Sequence, residues 1–82
     1  MQRRKKLIFW RIEKRMKQKD IANELGITLA HYSNLERGIS NPSYELLVKF
    51  RDTYKVKDVI ELFEKEEEDF YNGDENTSGY IG

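Results

Sequence analysis

The sequence predicts an all-α protein of five helices. Apolar residues recur every three or four positions from Leu7 to about Phe63, and no alternating run is long enough to indicate a sheet. Glycine, proline and helix-capping residues divide this stretch into five segments. The chain has 82 residues, 38% of them hydrophobic, and no cysteine, so it has room for one modest core that folds without disulfides. We therefore expect one small helical domain.

The first two predicted helices run from about residue 2 to residue 15 and from residue 18 to residue 26. In the second helix, Ile21, Ala22 and Leu25 fall on one face. The glycine at its end suits the left-handed conformation in which many helices finish. The apolar members of the first segment are Leu7, Ile8, Trp10, Ile12 and Met16.

The third predicted helix is short and has a mainly polar outer face. It starts after Thr28, whose hydroxyl can cap the helix, and it stops at Gly38. Tyr32 and Leu35 are expected to point towards the core, with Ala30 nearer the edge. The side chains that point partly or wholly outward are those of Leu29, His31, Ser33, Asn34 and Arg37.

An Asn-Pro pair predicts a turn before the fourth helix, because the residue before a proline is disfavoured in a helix. The fourth helix spans about residues 43–54, and the fifth spans about residues 59–68 with Asp58 as its N-cap. The residues expected to face the core are Leu46, Leu47 and Phe50 in the fourth helix and Val59, Ile60, Leu62 and Phe63 in the fifth.

Charge is distributed unevenly along the chain, although its formal net charge is zero. Residues 1–20 carry nine Lys or Arg against two acids, a net charge of +7, and residues 21–58 are balanced. Residues 59–82 carry eight acids against one lysine, a net charge of −7. The basic head indicates either polyanion binding or a solvated charged surface, and charge alone does not decide between them.

The chain is expected to consist of a domain, residues 1–68, and a tail, residues 69–82. The tail is acidic and rich in Gly, Asn and Ser, a composition that predicts flexibility. The acidic run at residues 64–68 is either a solvated helix end or a negative shield for the basic head.

The sequence lacks the patterns of an enzyme or a metal site. It has no cysteine, and a lone histidine such as His31 is more often a surface or packing residue than a ligand. No nucleophile with its base and no glycine-rich phosphate loop can be found, so we expect no catalysis, no metal and no cofactor. No apolar run reaches the roughly 18 residues needed to span a bilayer, so a cytoplasmic protein is expected.

Two helices joined tightly through "LGIT", the second with small outward side chains, are typical of a helix-turn-helix. The stretch "MKQKDIANELGITLAHYSNLERGISNPSYELL" resembles the phage repressor and Cro-type family, also called the xenobiotic-response-element family. The resemblance covers about residues 7–63 and implies a lambda-repressor-like domain of five helices, whose third helix enters the major groove of double-stranded DNA. The motifs that match are Gln18, Ala22, Gly26, "LERG" at 35–38 and "NPS" at 41–43.

The resemblance also implies which residues contact DNA. The outer face of the third helix would read base edges, while neighbouring residues would bind phosphates and position the protein. Asn34 could bond an adenine edge, and this face has no arginine suited to guanine, so A·T-rich sequence is favoured. The basic residues 3–6 are a further candidate for phosphate binding. The base-reading candidates are Thr28, Leu29, Ala30, His31, Ser33 and Asn34, and the phosphate-binding candidates are Lys17, Gln18, Lys19, Arg37, Ser40 and Asn41.

In similar proteins an arginine of the first helix pairs with the glutamate of the "LERG" motif. The resemblance therefore implies a structural ion pair between Arg11 and Glu36 that is at least partly buried and orients the helices. Arg15 stands where many relatives have glycine, so the first two helices are either continuous or joined by a different cap. Ile8 and Phe9 have no obvious core role, and they either pack under the C-terminal segment or form a dimer contact.

These features predict a transcriptional repressor that binds a two-fold operator as a homodimer, because one short helix reads too few base pairs for genomic specificity. No small-molecule site is evident, and no membrane partner is expected. The alternative is a protein-interaction module of the same fold, such as an antitoxin or an antagonist of another regulator. The candidates for the dimer contact are Val59, Ile60, Phe63, Phe70 and Tyr71.

Overall fold

The computed structural model describes residues 2–67 and confirms the predicted fold class, since it contains five helices. A ladder of two short strands is added to them, in which β1 (Gln2–Arg3) pairs antiparallel with β2 (Glu66–Glu67). The helices are α1 (Lys5–Glu13), α2 (Gln18–Leu25), α3 (Leu29–Glu36), α4 (Tyr44–Tyr54) and α5 (Val59–Leu62).

Side-chain caps explain where three of the helices begin. The Thr28 hydroxyl accepts a hydrogen bond from the backbone N–H of His31 (3.0 Å) at the start of α3. The Asp58 carboxylate accepts one from the N–H of Glu61 (3.0 Å) at the start of α5. Ser43 caps α4 in the same way. Each cap satisfies one of the N–H groups that a helix cannot satisfy internally.

The start of the first helix and the end of the fifth differ from the prediction. Helix α1 begins at Lys5 rather than near residue 2, because Gln2 and Arg3 pair with β2. Helix α5 ends at Leu62 rather than near residue 68. The physical reason is charge, since a run of glutamates repels itself and opposes the negative C-terminal end of a helix dipole. The predicted tail, residues 69–82, lies outside the described residues.

Arg15 adopts the left-handed conformation at φ 57°, which settles the joint between the first two helices. Its N–H donates to the carbonyl of Ile12 (2.9 Å), and the N–H of Met16 donates to that of Arg11 (3.2 Å). Helices α1 and α2 are therefore not continuous. A non-glycine residue takes this conformation at a cost of about 1–2 kcal/mol, which the surrounding packing has to offset.

The core lies where α1, α2, α3 and α4 meet, with α5 closing one side. Phe50 is at its centre, and its ring lies 5.1 Å from that of Trp10 and 5.0 Å from that of Phe63, centroid to centroid. The prediction that Ile60 faces inward is wrong, since this side chain is 62% exposed. The buried apolar residues are Leu7, Ile21, Ala22, Leu25, Tyr32, Leu35, Leu46, Phe50, Val59 and Phe63.

The error at Ile60 follows from the shortness of α5. A helix of a single turn offers only one pair of positions, four residues apart, that face the same way. Val59 and Phe63 occupy those positions and are buried, so neither is available for the dimer contact proposed from the sequence. Ile60 points to the other side of the turn.

Gly38 has both a conformational and a steric reason to be glycine. Its φ of 78° is left-handed, and a Cβ added there would lie 1.9 Å from the carbonyl oxygen of Gln2. The backbone of β1 therefore passes directly over the C-terminal end of α3.

A buried carboxylate joins the first three helices. Glu36 is only 2% exposed, and four hydrogen bonds reach it. Arg11 donates to both carboxylate oxygens, from Nε to Oε2 (2.7 Å) and from Nη2 to Oε1 (3.2 Å). Gln18 Nε2 donates to Oε1 (2.9 Å), and the Tyr32 hydroxyl donates to Oε2 (2.8 Å). We call these four residues the Glu36 network.

The protonation states within the Glu36 network fit these donor roles. Burial raises the pKa of the Tyr32 hydroxyl, so this group keeps its proton and remains a donor. The hydrogen bond to Glu36 raises the pKa of Arg11. Both donors therefore remain in place throughout the neutral pH range.

The substitution Leu35→Ala should lower the free energy of unfolding by about 2–5 kcal/mol, because it opens a cavity at a fully buried position. Leu29→Ala is the matched control on the same helix, since Leu29 is 50% exposed. It should change stability by no more than about 0.5 kcal/mol. Urea denaturation of both variants measures the difference, and similar losses would contradict the assigned orientation of α3.

The substitution Tyr32→Phe should lower the free energy of unfolding by about 1–3 kcal/mol, because it removes a donor from a buried carboxylate. Tyr44→Phe removes the same hydroxyl from an exposed side chain and should leave stability nearly unchanged. Thermal or urea unfolding near pH 7 compares the two variants. A Tyr32→Phe protein as stable as the parent would show that the hydroxyl contributes nothing to the Glu36 network.

Candidate nucleic-acid interface

The outer face of α3 is open. Its first three residues, 29–31, are exposed, and Ser33 and Asn34 are partly exposed. The opposite face of the helix holds Tyr32, Leu35 and Glu36, all buried. All six predicted base-reading residues therefore lie on one accessible surface formed by α3 and its cap: Thr28, Leu29, Ala30 and His31 are exposed, and Ser33 and Asn34 are half-buried.

The joint between α2 and α3 fixes the direction of this face. Gly26 adopts a left-handed conformation, with φ 73° and ψ 29°, and ends α2. The N–H of Ile27 then donates to the carbonyl of Ala22 (3.0 Å), which closes the turn. The side chain of Ala22 is fully buried at this crossing, where a larger side chain would push α3 away from α2.

An open depression of about 230 Å³ adjoins the N-terminal end of this face. Its lining combines the apolar side chains of Leu25, Ile27 and Leu46 with polar ones that include His31 and Lys49. Within residues 2–67, no three His, Cys, Asp or Glu side chains are grouped so that they could hold a metal ion. The depression borders the exposed face of α3 through His31.

Three of the predicted phosphate-binding residues lie at the start of α2. Lys17 and Lys19 are exposed, whereas Gln18 is half-buried and donates one amide hydrogen to Glu36. The first N–H groups of any helix lack intrahelical acceptors and carry partial positive charge, which suits an anion. The Asp20 carboxylate accepts the N–H of Lys17 (3.0 Å) and so occupies one of the donors at this helix end.

The other three predicted phosphate-binding residues follow α3. Arg37 and Asn41 are exposed, and Ser40 is half-buried. Arg37 Nη1 lies 3.5 Å from the side-chain oxygen of Asn34, a distance too long for a strong hydrogen bond. Gln18 contacts Glu36, so the phosphate-binding candidates at the start of α2 lie near the C-terminal end of α3, as do those that follow α3. The exposed base-reading candidates lie at the N-terminal end of α3.

Two members of the basic cluster at residues 3–6 do not fit a role in phosphate binding. Arg4 is 3% exposed, and burial lowers the pKa of its guanidinium, which nevertheless stays protonated at neutral pH. Lys6 Nζ lies 3.3 Å from Glu64, 3.6 Å from Glu66 and 3.8 Å from Glu61. The hydrogen bond to Glu64 raises the pKa of Lys6. The acidic run therefore contacts the basic head directly.

The Arg11–Glu36 contact is at the positions that the resemblance implied, whereas other polar contacts were not foreseen. Tyr32 lies on the apolar face of α3, and a buried tyrosine needs a partner for its hydroxyl. The sequence therefore indicated that Tyr32 would form a buried hydrogen bond, as it does with Glu36. The burial of Arg4 could not be predicted in this way, because Arg4 is one of four consecutive basic residues and nothing in the sequence distinguishes it from the other three.

Comparison with known proteins agrees with this geometry. A helix-turn-helix family model, HTH_3 of the Cro/C1 type, matches residues 7–59, which is more than half of the chain. Curated proteins and solved structures yield no match. Among residues 2–67, no helix combines the length and the apolar character needed to cross a bilayer. The matched segment includes α2, the Gly26 turn and α3 in full, and the chain therefore belongs to the HTH_3 helix-turn-helix family of DNA-binding regulators.

Proposed function

We propose that the protein is a sequence-specific repressor that occupies a double-stranded operator with the outer face of α3 in the major groove. The observation that supports this most directly is the open face of α3, backed by a buried side that ties it to α1 and α2. A helix held in this way can enter the groove without rearrangement of the domain. Occupying the operator would block access by RNA polymerase.

Base recognition is assigned to six residues, Thr28, Leu29, Ala30, His31, Ser33 and Asn34. Asn34 can pair both amide groups with an adenine edge, and Leu29 can contact a thymine methyl group. Their chemistry supports a preference for A·T-rich half-sites. Phosphate contacts from Lys17, Lys19 and Arg37 would set the position of the protein on the duplex without specifying its sequence.

Two substitutions separate these roles. Asn34→Ala should weaken binding to the operator by about 1–3 kcal/mol and relax the preference at one base pair. Arg37→Ala should weaken binding to all duplexes alike and flatten the dependence of log K on log salt by about one unit. The operator is first obtained by selecting bound fragments from random duplex DNA, and affinities are then measured at several salt concentrations. Equal losses on operator and random DNA from both variants would contradict the assignment.

A two-fold operator requires a dimer, whose reading helices would lie about 34 Å apart. Ile60 is the apolar side chain of α5 that remains exposed, so we assign the dimer contact to the surface around it. Phe70 and Tyr71 remain candidates for the same contact. Ile60 is exposed, whereas Val59 and Phe63 belong to the core, so Ile60 can be replaced without loss of the fold.

The substitution Ile60→Asp should weaken self-association by about tenfold or more, because it places a charge in a desolvated contact. Ile12→Asp makes the same change at a similarly exposed position on α1, 56% against 62%, and should leave association unchanged. Sedimentation equilibrium at micromolar concentration measures both. The opposite ranking would move the contact to α1, and a monomeric parent protein would refute the dimer.

A second candidate function is a protein-interaction module of the same fold. Exposed apolar side chains on the outer face of α1, at Phe9 and Ile12, favour it. The two functions separate in one experiment, since a repressor enriches a common duplex motif from random DNA. An interaction module would enrich none.

A further inference from the structure

The side chain of Arg4 connects parts of the chain that are far apart in sequence. It lies before α1, yet its guanidinium contacts the end of α3, the loop between α3 and α4, and the residue that follows α5. All four acceptors are neutral oxygens, so they do not cancel its positive charge. Arg4 donates to the carbonyls of Phe63 (2.8 Å), Leu35 (2.6 Å) and Ser40 (2.8 Å) and to the side-chain oxygen of Asn41 (3.1 Å).

The contact with Asn41 determines which way its carboxamide points. A guanidinium offers only donors, so the atom of Asn41 that faces it has to be the oxygen, Oδ1. The Nδ2 group, with its two donor hydrogens, is then directed away from Arg4. Asn41 is exposed, so this donor group is presented at the surface, whereas an unrestrained carboxamide could turn either its oxygen or its nitrogen outward.

The same guanidinium fixes the backbone on which Asn41 stands. Its Nη1 donates to Leu35 and to Ser40, and so joins the last turn of α3 to the loop. The N–H of Arg4 donates to the carbonyl of Glu36 (2.9 Å), which holds Arg4 itself against α3. The position of Asn41 relative to α3 is therefore set by Arg4 as well as by the loop itself.

We propose that Arg4 is a positioning residue that turns the Asn41 carboxamide so that Nδ2 donates to a DNA phosphate beside the end of α3. The proposal deepens the function proposed above and rests on it. Its ligand is the phosphate backbone, because the outward group has two donors and no acceptor and stands next to a buried positive charge. Arg4 itself does not touch DNA.

A double-mutant cycle tests whether Arg4 acts through Asn41. Asn41→Ala, Arg4→Lys and the double variant are compared for binding to a labelled mixed-sequence duplex at low salt, below the melting temperature of every variant. Asn41→Ala should lower affinity about fivefold, the equivalent of one hydrogen bond of roughly 1 kcal/mol. Arg4→Lys should cause a similar loss in the parent background and none in the Asn41→Ala background, because lysine keeps the charge but lacks the planar fork.

A third variant guards against simple loss of folding. Asn41→Asp should keep or raise thermal stability, since a carboxylate accepts from Arg4 more strongly than an amide does. The same change should lower DNA affinity by more than Asn41→Ala does, because it removes the outward donor and adds negative charge. Asn23→Asp makes the same charge change at an exposed position of α2 and should lower affinity less.

The outcomes separate this proposal from the proposed function. Non-additive losses in the cycle, together with an Asn41→Asp protein that is at least as stable as the parent but binds DNA more weakly than Asn41→Ala does, support the role of Arg4. If the parent protein binds duplex DNA but the two losses simply add, or if Asn41→Ala binds as well as the parent, the positioning role is overturned while DNA binding stands. A parent protein that binds no duplex overturns the proposed function and this inference with it.

Discussion

The constraint on which the arrangement of the first three helices depends is the burial of the Glu36 carboxylate. A charge taken out of water has to be given donors, and the chain supplies them from α1, α2 and α3 itself. Such a network adds little net stability compared with apolar packing, because desolvation offsets most of the attraction. Its effect is on geometry, since Arg11, Gln18 and Tyr32 belong to three different helices and have to converge on one carboxylate.

The two ends of α3 consequently have different characters. Its C-terminal end is held by the Glu36 network, by the guanidinium of Arg4 and by the passage of β1 over Gly38. At its N-terminal end are the Thr28 cap and the turn from α2, and the side chains of Leu29, Ala30 and His31 face solvent. The exposed candidates for base reading therefore lie at the open end, while the hydrogen bonds that orient α3 are concentrated at the other. Because of this division, the exposed side chains of α3 can be substituted without disturbing the hydrogen bonds that hold the helix.

Sequence patterns predicted the middle of the chain well and its ends poorly. Periodicity and capping residues located α2, α3 and α4 because these helices bury one face against neighbours close in sequence. The β1–β2 ladder has only two residues in each strand and leaves no periodic signal. The hydrogen bonds of Arg4 could not be predicted from its neighbours in sequence either, because those neighbours are also basic and its acceptors are 31 to 59 residues away. The exposed position of Ile60 was missed because the length of α5 was overestimated.

The N-terminal segment has some of its hydrogen-bond partners late in the sequence, at Phe63 for Arg4 and at Glu66–Glu67 for β1. Helix α2 contacts both α3 and α4, and these contacts join elements that are close in sequence. The bond from Arg4 to Phe63 and the β1–β2 ladder need residues 63–67, whereas the Arg4 bonds to Leu35, Ser40 and Asn41 need only the chain up to residue 41. Closure of β1 over the C-terminal end of α3 therefore depends on residues that follow α5, whereas the helix-turn-helix itself is built from residues close in sequence.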